Sequence, residues 1–274
     1  MRTVFWSVKG GSGVTVTAAA LALNSPDCLL VDLCGDIALA LGVDEPTVGL
    51  AAWMHSPNDV DASALDRLIV SVRPGLALLP SGTTWSELLT PNELITKRFA
   101  ILGDYLASRS SGEHSSDKGQ RKQRVLRNLR EGTPHGSGGG MQWSNVIVDA
   151  GSFGRSDIAA LSELLERADQ SLLMVKSCFL AVRGAVGTTL RVDGVVVFGD
   201  EERRISDHDI AAALGYPVRA TMLRQPGVAR AVDAGLLAAR LPRSFTRSLE
   251  ALHPTIKSQP NVRRGVLNRS PVAS

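Results

Sequence analysis

Residues 9–15 form a glycine-rich turn whose residue types suit the binding of a phosphate group. The turn follows an apolar run over residues 3–8 and precedes an alanine-rich stretch with helix-forming residues. Small side chains let backbone N–H groups converge on a phosphate, and the N-terminus of the following helix adds a positive dipole. The residues expected to contact the phosphates are Gly10, Gly11, Ser12, Gly13, Val14, Thr15 and Val16.

The turn departs from the standard phosphate-binding pattern at its central lysine. In the pattern G-x-x-x-x-G-K-[ST], the lysine contacts the β- and γ-phosphates and the Ser or Thr hydroxyl binds Mg²⁺. Val14 occupies the lysine position here, whereas Thr15 keeps the hydroxyl and Lys9 stands at the front of the loop. An aliphatic side chain cannot offset the charge that grows during phosphoryl transfer. The sequence therefore predicts a site that binds a nucleotide and hydrolyses it poorly.

Two aspartates end short apolar runs that we expect to be parallel strands. Asp32 ends the run Cys28–Asp32, and Asp149 ends the run Val146–Asp149. Open α/β sheets bind ligands at the carboxyl ends of their strands, so we expect Asp149 to support Mg²⁺. The structural alternative stays open: the glycines can form an ordinary turn, and Asp149 can cap the turn that follows it.

The order and spacing of these segments resemble the MinD/ParA superfamily of deviant Walker A ATPases. The resemblance rests on residues 9–15, 28–42, 145–151 and 226–235, and it extends over residues 2–245. Within that superfamily the sequence is most similar to the branch that contains CpaE, TadZ and septum-site-determining-like proteins. The resemblance implies ATP or ADP with Mg²⁺ as cofactors and a homodimer that encloses the nucleotides.

The resemblance also implies roles for residues outside the glycine turn. Lys9 would reach the phosphates held by the partner subunit, Asp32 and Gly151 would belong to the two nucleotide-sensing switch regions, and Arg224 and Pro226 would lie near the base. Thr15 and Asp149 would form the metal site.

The family's first switch region carries a second aspartate that positions the attacking water, and this chain departs from that pattern. Cys34 stands in its place, so Asp36, two residues later, is the candidate catalytic replacement. We therefore expect ATP hydrolysis to be slow at most.

Short apolar runs alternate with helix-like stretches, which is typical of β-α units around a parallel sheet. We expect an α/β, P-loop NTPase-like domain over residues 1–250, with helices on both faces of a mostly parallel sheet of seven or eight strands. The expected strands are Thr3–Val8, Cys28–Asp32, Leu76–Leu79, Val146–Asp149, Ser171–Val175, Gly194–Val197 and Val218–Met222. The expected helices are Val14–Leu23, Ala62–Ser71, Pro91–Ala107, Asp157–Arg167, Ala181–Leu190, Asp207–Leu214 and Val228–Ala234.

Two basic segments interrupt this alternation. Residues 108–140 are rich in Ser, Gly and charge, with seven basic and three acidic side chains, and residues 251–274 hold four basic side chains and no acid. We expect a disordered insert and a flexible tail. Residues 118–131 of the insert suit three alternatives: a solvated loop, a DNA contact, or a contact with an anionic membrane surface.

The whole sequence favours a cytoplasmic homodimer that can lie peripherally at the inner face of the cell membrane. Cys28, Cys34 and Cys178 lack metal-ligand spacing and suit a reduced compartment. We expect a localisation or scaffolding factor for a cell-envelope machine, in Tad/Flp-type pilus assembly, secretion or septum placement in division. The alternatives are an active partition-type ATPase that binds DNA, and a nucleotide-free pseudo-ATPase that serves as an interaction module.

Overall fold

An eight-stranded sheet with the order β3-β4-β2-β5-β1-β6-β7-β8 forms the centre of the protein. The computed structural model describes residues 1–57, 60–83, 93–110, 141–153, 158–200 and 205–252. β3 pairs antiparallel with β4, and the other pairings are parallel. The expected mostly parallel α/β fold is therefore confirmed. The strands are β1 Arg2–Ser7, β2 Cys28–Asp32, β3 Val70–Arg73, β4 Leu76–Leu79, β5 Asn145–Ser152, β6 Gln170–Lys176, β7 Gly194–Gly199 and β8 Val218–Leu223.

Helices cover both faces of this sheet. They are α1 Val14–Asn24, α2 Ile37–Leu41, α3 Leu50–Met54, α4 Glu93–Arg109, α5 Ile158–Glu166, α6 Phe179–Ala185, α7 Asp207–Leu214, α8 Pro226–Asp233, α9 Leu237–Arg240 and α10 Arg243–Leu249, with 3₁₀ turns at Ala62–Arg67 and Glu250–Leu252. Side chains of α3 to α7 pack in one apolar core, and those of α1, α2 and α8 to α10 pack in the other. Across the described residues, no helix is long and apolar enough to span a membrane.

The continuous apolarity of the central strands follows from this two-sided cover. Every residue of β2 is buried; Leu29 and Val31 point into one core, and Cys28 and Leu30 point into the other. Successive side chains of a strand alternate between the two faces, so a strand covered on both faces is apolar throughout. β2 has the bounds that the sequence predicted because its apolar run stops at a charged residue.

The helix expected over Ala62–Ser71 is wrong in its second half. The 3₁₀ turn ends at Arg67, and β3 begins at Val70. In β3 the half-buried Val70 and Val72 alternate with exposed Ser71 and Arg73, which is the period of a strand with one solvated face. A strand at the edge of the sheet needs no long apolar run. The alternating pattern of β3 covers only four residues, which is too short to be recognised in the sequence.

Two helix boundaries agree with the sequence because their caps are local. The Ser206 hydroxyl accepts a hydrogen bond from the Asp209 N–H at 3.1 Å, and Gly215 ends α7 in the left-handed region.

The helix expected over Ala181–Leu190 instead begins at Phe179 and ends at Ala185. Gly187 there has a φ of 75°, outside the range of a right-handed helix.

The basic insert leaves and rejoins the fold at adjacent points. α4 continues through Arg109, so Ser108 and Arg109, the first residues of the expected insert, are helical. Ser110 forms a parallel bridge with Trp143, whose N–H donates to the Arg109 carbonyl at 2.7 Å. Because Trp143 precedes β5, the points where the insert leaves and rejoins the domain both lie at the amino edge of the sheet. Residues 118–131 and the tail beyond residue 252 lie outside the described part of the chain.

A glycine–glycine contact joins α2 to the segment that follows α8. Gly42 ends α2 with a φ of 71°, and a Cβ atom there would lie 2.1 Å from the carbonyl oxygen of Gly235, which itself has a φ of 64°. Both the left-handed backbone and the close approach require glycine at position 42. This contact fixes α2, and with it the loop that follows β2, against the C-terminal helices.

Gly42→Ala should lower the free energy of unfolding by about 3 kcal/mol, because it adds a backbone clash to left-handed strain. Gly215→Ala is the matched control: Gly215 also ends a helix with a φ of 75°, but a Cβ there meets nothing within 4 Å. The control should lose only about 1 kcal/mol. Urea unfolding of both variants measures the difference, and equal losses would show that the Gly235 contact contributes nothing.

Candidate functional site

A cavity of about 340 Å³ opens at the carboxyl edge of the sheet, where β1, β2 and β5 end. The glycine turn that follows β1 forms one wall, and the segment that follows β2 and the last residues of β5 form the opposite walls. Its lining includes Gly10, Gly11, Ser12, Gly13, Val14, Thr15 and Val16, together with Cys34, Asp36 and Gly151. The structure therefore brings together most of the residues that the sequence assigned to a phosphate site.

The glycine turn is held in a wide arc by its backbone conformation. Gly11 and Gly13 have φ values of 75° and 79°, and Gly13 is the residue at which α1 begins. The Ser12 hydroxyl donates to the Lys9 carbonyl at 2.7 Å and closes the front of the arc. The first N–H groups of a helix have no partner within the helix, so the start of α1 offers donors to an anion in the cavity.

Val14 places an apolar side chain at the start of α1, where the standard pattern has lysine. It is 6% exposed and belongs to the core formed by α1, α2 and α8 to α10. Val14 therefore supplies packing on one side and a short apolar wall to the cavity on the other. The cation of the standard loop has no equivalent at this position.

Asp32 shapes the turn between β2 and α2. Its carboxylate is 1% exposed and accepts hydrogen bonds from the N–H groups of Cys34 at 2.9 Å, Gly35 at 2.8 Å and Ile37 at 3.2 Å. These bonds lower the pKa of Asp32, but burial has the larger effect and raises it above its ordinary value. Asp32 thus holds the loop that carries Cys34 and Asp36 in place.

Asp149 lies beside Asp32, because the two residues are paired in register between β2 and β5. Asp149 is fully buried, and it accepts hydrogen bonds from the Gly151 N–H at 3.0 Å and from the Cys34 thiol at 3.0 Å. Burial, and then the negative charge of Asp32, raise the pKa of Asp149 to about 7. Both effects disfavour the ionised form of Asp149 relative to an exposed carboxyl group.

The donor set at this point fits a divalent cation. The Thr15 hydroxyl lies 3.6 Å from the Cys34 sulfur, which in turn contacts the Asp149 carboxylate. Among the described residues, no lysine or arginine forms an ion pair with Asp32 or Asp149. A cation bound between Thr15 and Asp149 would offset the buried negative charge. The cysteines lack metal-ligand spacing in the sequence, but the fold brings the Cys34 sulfur within 4.8 Å of ligand atoms of Asp32 and Asp149.

The other predicted site residues lie at different distances from the cavity. Asp36 is exposed, lines the cavity and precedes α2 without a side-chain capping bond; partial burial raises its pKa. Lys9 is exposed at the front of the turn. Arg224 and Pro226 follow β8, three strands from β1, and they are not part of the cavity lining among the described residues.

Sequence reasoning missed three residues that shape the cavity. The Ser7 hydroxyl donates to the carbonyls of Lys9 at 3.1 Å and Gly151 at 3.3 Å, and Ser152, paired with Ser7 in the sheet, also lines the cavity. The Phe198 ring packs on Gly13, where a Cβ atom would lie 2.7 Å from it. The polar residues just after the β1 and β5 apolar runs were a usable signal for the two serines; the Phe198 contact had none.

Asp149→Asn should stabilise the metal-free protein at neutral pH. The folded-state pKa of Asp149 is raised to about 7, against ~3.9 in the unfolded chain. The unfolded chain therefore loses this proton first as the pH rises, and the wild type loses stability between about pH 4 and 7. The amide variant has no such loss, so its advantage should grow across this window. Urea unfolding in chelator at about pH 4.5 and 7.5 measures it, with exposed Asp233→Asn as the control; a pH-independent difference would contradict it.

Comparison with known proteins gives the same fold. No family model and no curated protein matches the chain. Among solved structures, the septum site-determining protein MinD complexed with Mg-ADP from Pyrococcus horikoshii OT3 is 16% identical, with a TM-score of 0.60 over 92% of this chain and 94% of that chain. A ParA family ATPase from Chlorobium tepidum TLS is 18% identical, with a TM-score of 0.60 over 92% of this chain and 98% of that chain.

The MinC:MinD cell division protein complex of Aquifex aeolicus also matches, at 17% identity and a TM-score of 0.59 over 96% of this chain and 98% of that chain. The matches extend across nearly the full length of both chains in each case. The closer resemblance to the CpaE and TadZ branch stays a prediction. The chain has the fold of the MinD/ParA ATPases.

Proposed function

We propose that this chain is a degenerate MinD/ParA-like nucleotide-binding protein that works as a dimeric localisation or scaffolding factor. The observation that carries the proposal is the composition of one cavity. Glycine-turn donors, the Thr15 hydroxyl and the neighbouring Asp149 carboxylate are present, but the position of the phosphate-binding lysine is occupied by Val14. Such a site retains the groups that bind a nucleotide and lacks a group that accelerates its hydrolysis.

Binding would rest on backbone groups and a cation. N–H groups at the start of α1 would hold the phosphates of ATP or ADP, and Thr15 and Asp149 would hold Mg²⁺ directly or through water. Mg²⁺ supplies neutralisation of the phosphate charge when it is bound. The cavity volume of about 340 Å³ lies within the range of small-molecule sites. The P. horikoshii MinD structure with this fold is a complex with Mg-ADP.

Hydrolysis would be weak for two reasons. Val14 offers no positive charge to the developing transition state, and Cys34, whose thiol donates to Asp149, stands where the family has the aspartate that positions water. Asp36 remains the candidate for positioning water, since it lines the cavity and is exposed. The nucleotide would then act as a slow switch that favours one assembly state over another.

Dimerisation would involve the carboxyl edge of the sheet. Lys9 is exposed there, and the helices that begin at the same edge expose Leu39, Phe179 and Leu180 by 61% or more of their surface. Large apolar side chains exposed at one edge offer apolar area to a partner surface. We propose that the partners are proteins of a cell-envelope machine, in Tad/Flp-type pilus assembly or septum placement, which the dimer positions from the cytoplasm. A. aeolicus MinD, with the same fold, forms a complex with MinC.

Titration calorimetry should detect ATP and ADP binding in the micromolar range with Mg²⁺, without turnover on the time scale of the titration.

Lys9→Ala should weaken nucleotide-dependent dimerisation by about tenfold, because it removes one charge-assisted contact across the interface. Lys97→Ala is the control, since Lys97 pairs with Glu93 on the surface of α4. Sedimentation measures the dimer fraction. Absence of binding at millimolar nucleotide would contradict the proposal and leave a nucleotide-free interaction module.

Val14→Lys should tighten ATP binding by about tenfold, because an ammonium group at the start of α1 would lie beside the phosphates. Val14→Met controls for the larger side chain at a position that is 6% exposed in the native protein. Competition with a fluorescent ATP analogue measures both affinities. Equal affinities of the two variants would show that the phosphates do not lie next to position 14.

A further inference from the structure

Three side chains beside the cavity place possible metal ligands close together. One ligand atom each from Asp32, Cys34 and Asp149 lies within 4.8 Å of the others. Cys34 lines the cavity, whereas Asp32 and Asp149 are buried and are not part of its lining. Asp32 ends β2, Asp149 is paired with it in β5, which continues to Ser152, and the Asp32 carboxylate holds the loop that carries Cys34. The cluster is thus built on two central strands of the sheet, which makes its geometry rigid.

The three ligands are not equally available. Both oxygens of Asp32 accept backbone N–H groups, which leaves this carboxylate a supporting role. The Cys34 sulfur and one oxygen of Asp149 instead face each other at 3.0 Å, joined only by the thiol proton. The Thr15 hydroxyl is a third possible ligand, and its oxygen lies 3.6 Å from the Cys34 sulfur. An ion that displaced the thiol proton would meet sulfur, carboxylate and hydroxyl together.

The charge of the cluster favours a bound cation. Asp32 and Asp149 are 1% and 0% exposed, and no lysine or arginine of the described residues forms an ion pair with either. Paired carboxylates buried without a counter-ion are costly, and they become neutral, pair with a positive charge or bind a metal. A cation bound beside them would relieve this cost without protonation of either carboxylate.

The sulfur decides which cation fits. Mg²⁺ takes oxygen ligands, whereas thiolates select thiophilic ions such as Zn²⁺, and Co²⁺ serves as its spectroscopic substitute. Zn–S bonds of ~2.3 Å and Zn–O bonds of ~2.0 Å place two ligands of a tetrahedral ion about 3.5 Å apart. The observed 3.0 Å between Sγ and Oδ2 therefore needs to open by only about half an ångström.

We propose that, when no nucleotide is bound, this site binds a thiophilic divalent cation through Cys34 and Asp149, with Thr15 at its side, in preference to the Mg²⁺ that would accompany a nucleotide. On binding, the thiol proton leaves to solvent and the sulfur becomes a thiolate ligand. The remaining coordination positions face the cavity, where water or a phosphate oxygen completes the shell. The proposal rests on the proposed nucleotide site for its biological role, but metal binding itself requires no nucleotide.

The chain offers a matched control for the cysteine. Cys28 is fully buried in β2, and Cys178 precedes α6, after β6. Neither residue belongs to a metal-ligand cluster among the described residues. Cys178→Ser therefore removes an accessible thiol without touching the site, whereas Cys34→Ser keeps a small polar side chain and removes only the soft ligand.

The test is a Co²⁺ titration of the reduced full-length protein without nucleotide, followed by near-ultraviolet absorption. Wild type and Cys178→Ser should show a sulfur-to-cobalt charge-transfer band that Zn²⁺ removes and a large excess of Mg²⁺ does not. Cys34→Ser should lack the band and bind Zn²⁺ at least about tenfold more weakly. Cys34→Asp should reverse the preference toward Mg²⁺, measured by calorimetry, because it supplies an oxygen ligand.

The outcomes separate this inference from the nucleotide proposal. A band that persists in Cys34→Ser, or Zn²⁺ binding that Cys34→Ser leaves unchanged, would overturn the metal assignment. If Mg-ATP binds normally but the wild type shows no band, the metal assignment fails and the nucleotide proposal stands. If the band appears but no nucleotide binds, the metal assignment stands and the nucleotide proposal fails. Unfolding curves of each variant verify that the fold is intact.

Discussion

The pairing of β2 with β5 is the constraint on which the site depends, because it sets two buried carboxylates side by side. Asp32 and Asp149 occupy paired positions at the carboxyl ends of these strands. Asp32 accepts hydrogen bonds from N–H groups of the loop that follows β2, and Asp149 accepts one from Gly151, two residues further along β5. The loop after β2 and the end of β5 are thereby held beside the glycine turn. Burial and the charge of Asp32 raise the pKa of Asp149, and a bound cation would offset the repulsion between the two carboxylates.

The apolar cores on the two faces of the sheet maintain this arrangement. α1, which begins at the glycine turn, packs on the sheet through a run of buried small residues from Thr17 to Leu23. α2, which begins after Asp36, is fixed by the contact between Gly42 and Gly235. The turn and the loop after β2 are thus each tied to one rigid helix.

The sequence was sufficient for the fold and for the glycine-turn wall of the cavity, but not for the rest of its lining or for the contacts around it. Continuous apolar runs such as β2 carry their bounds in the sequence, and so does α7 with its Ser206 cap. The Cys34 contact with Asp149 joins residues 115 positions apart, so it depends on which strands are neighbours. The Phe198 ring on Gly13 depends likewise on the placement of β7. Short edge elements such as β3 contain too few residues for their periodicity to distinguish a strand from a helix.

The bridge between Ser110 and Trp143 makes the intervening segment an appendage that the domain does not need for closure. Its two ends are already joined at the amino edge of the sheet, opposite the cavity. Closure entropy grows slowly with loop length, by about 0.6 kcal/mol for each doubling. Residues 111–140 can therefore lengthen, shorten or be exchanged for a reporter at small energetic cost. Such changes would leave the cavity at the carboxyl edge unaltered, because the junction lies at the other end of the strands.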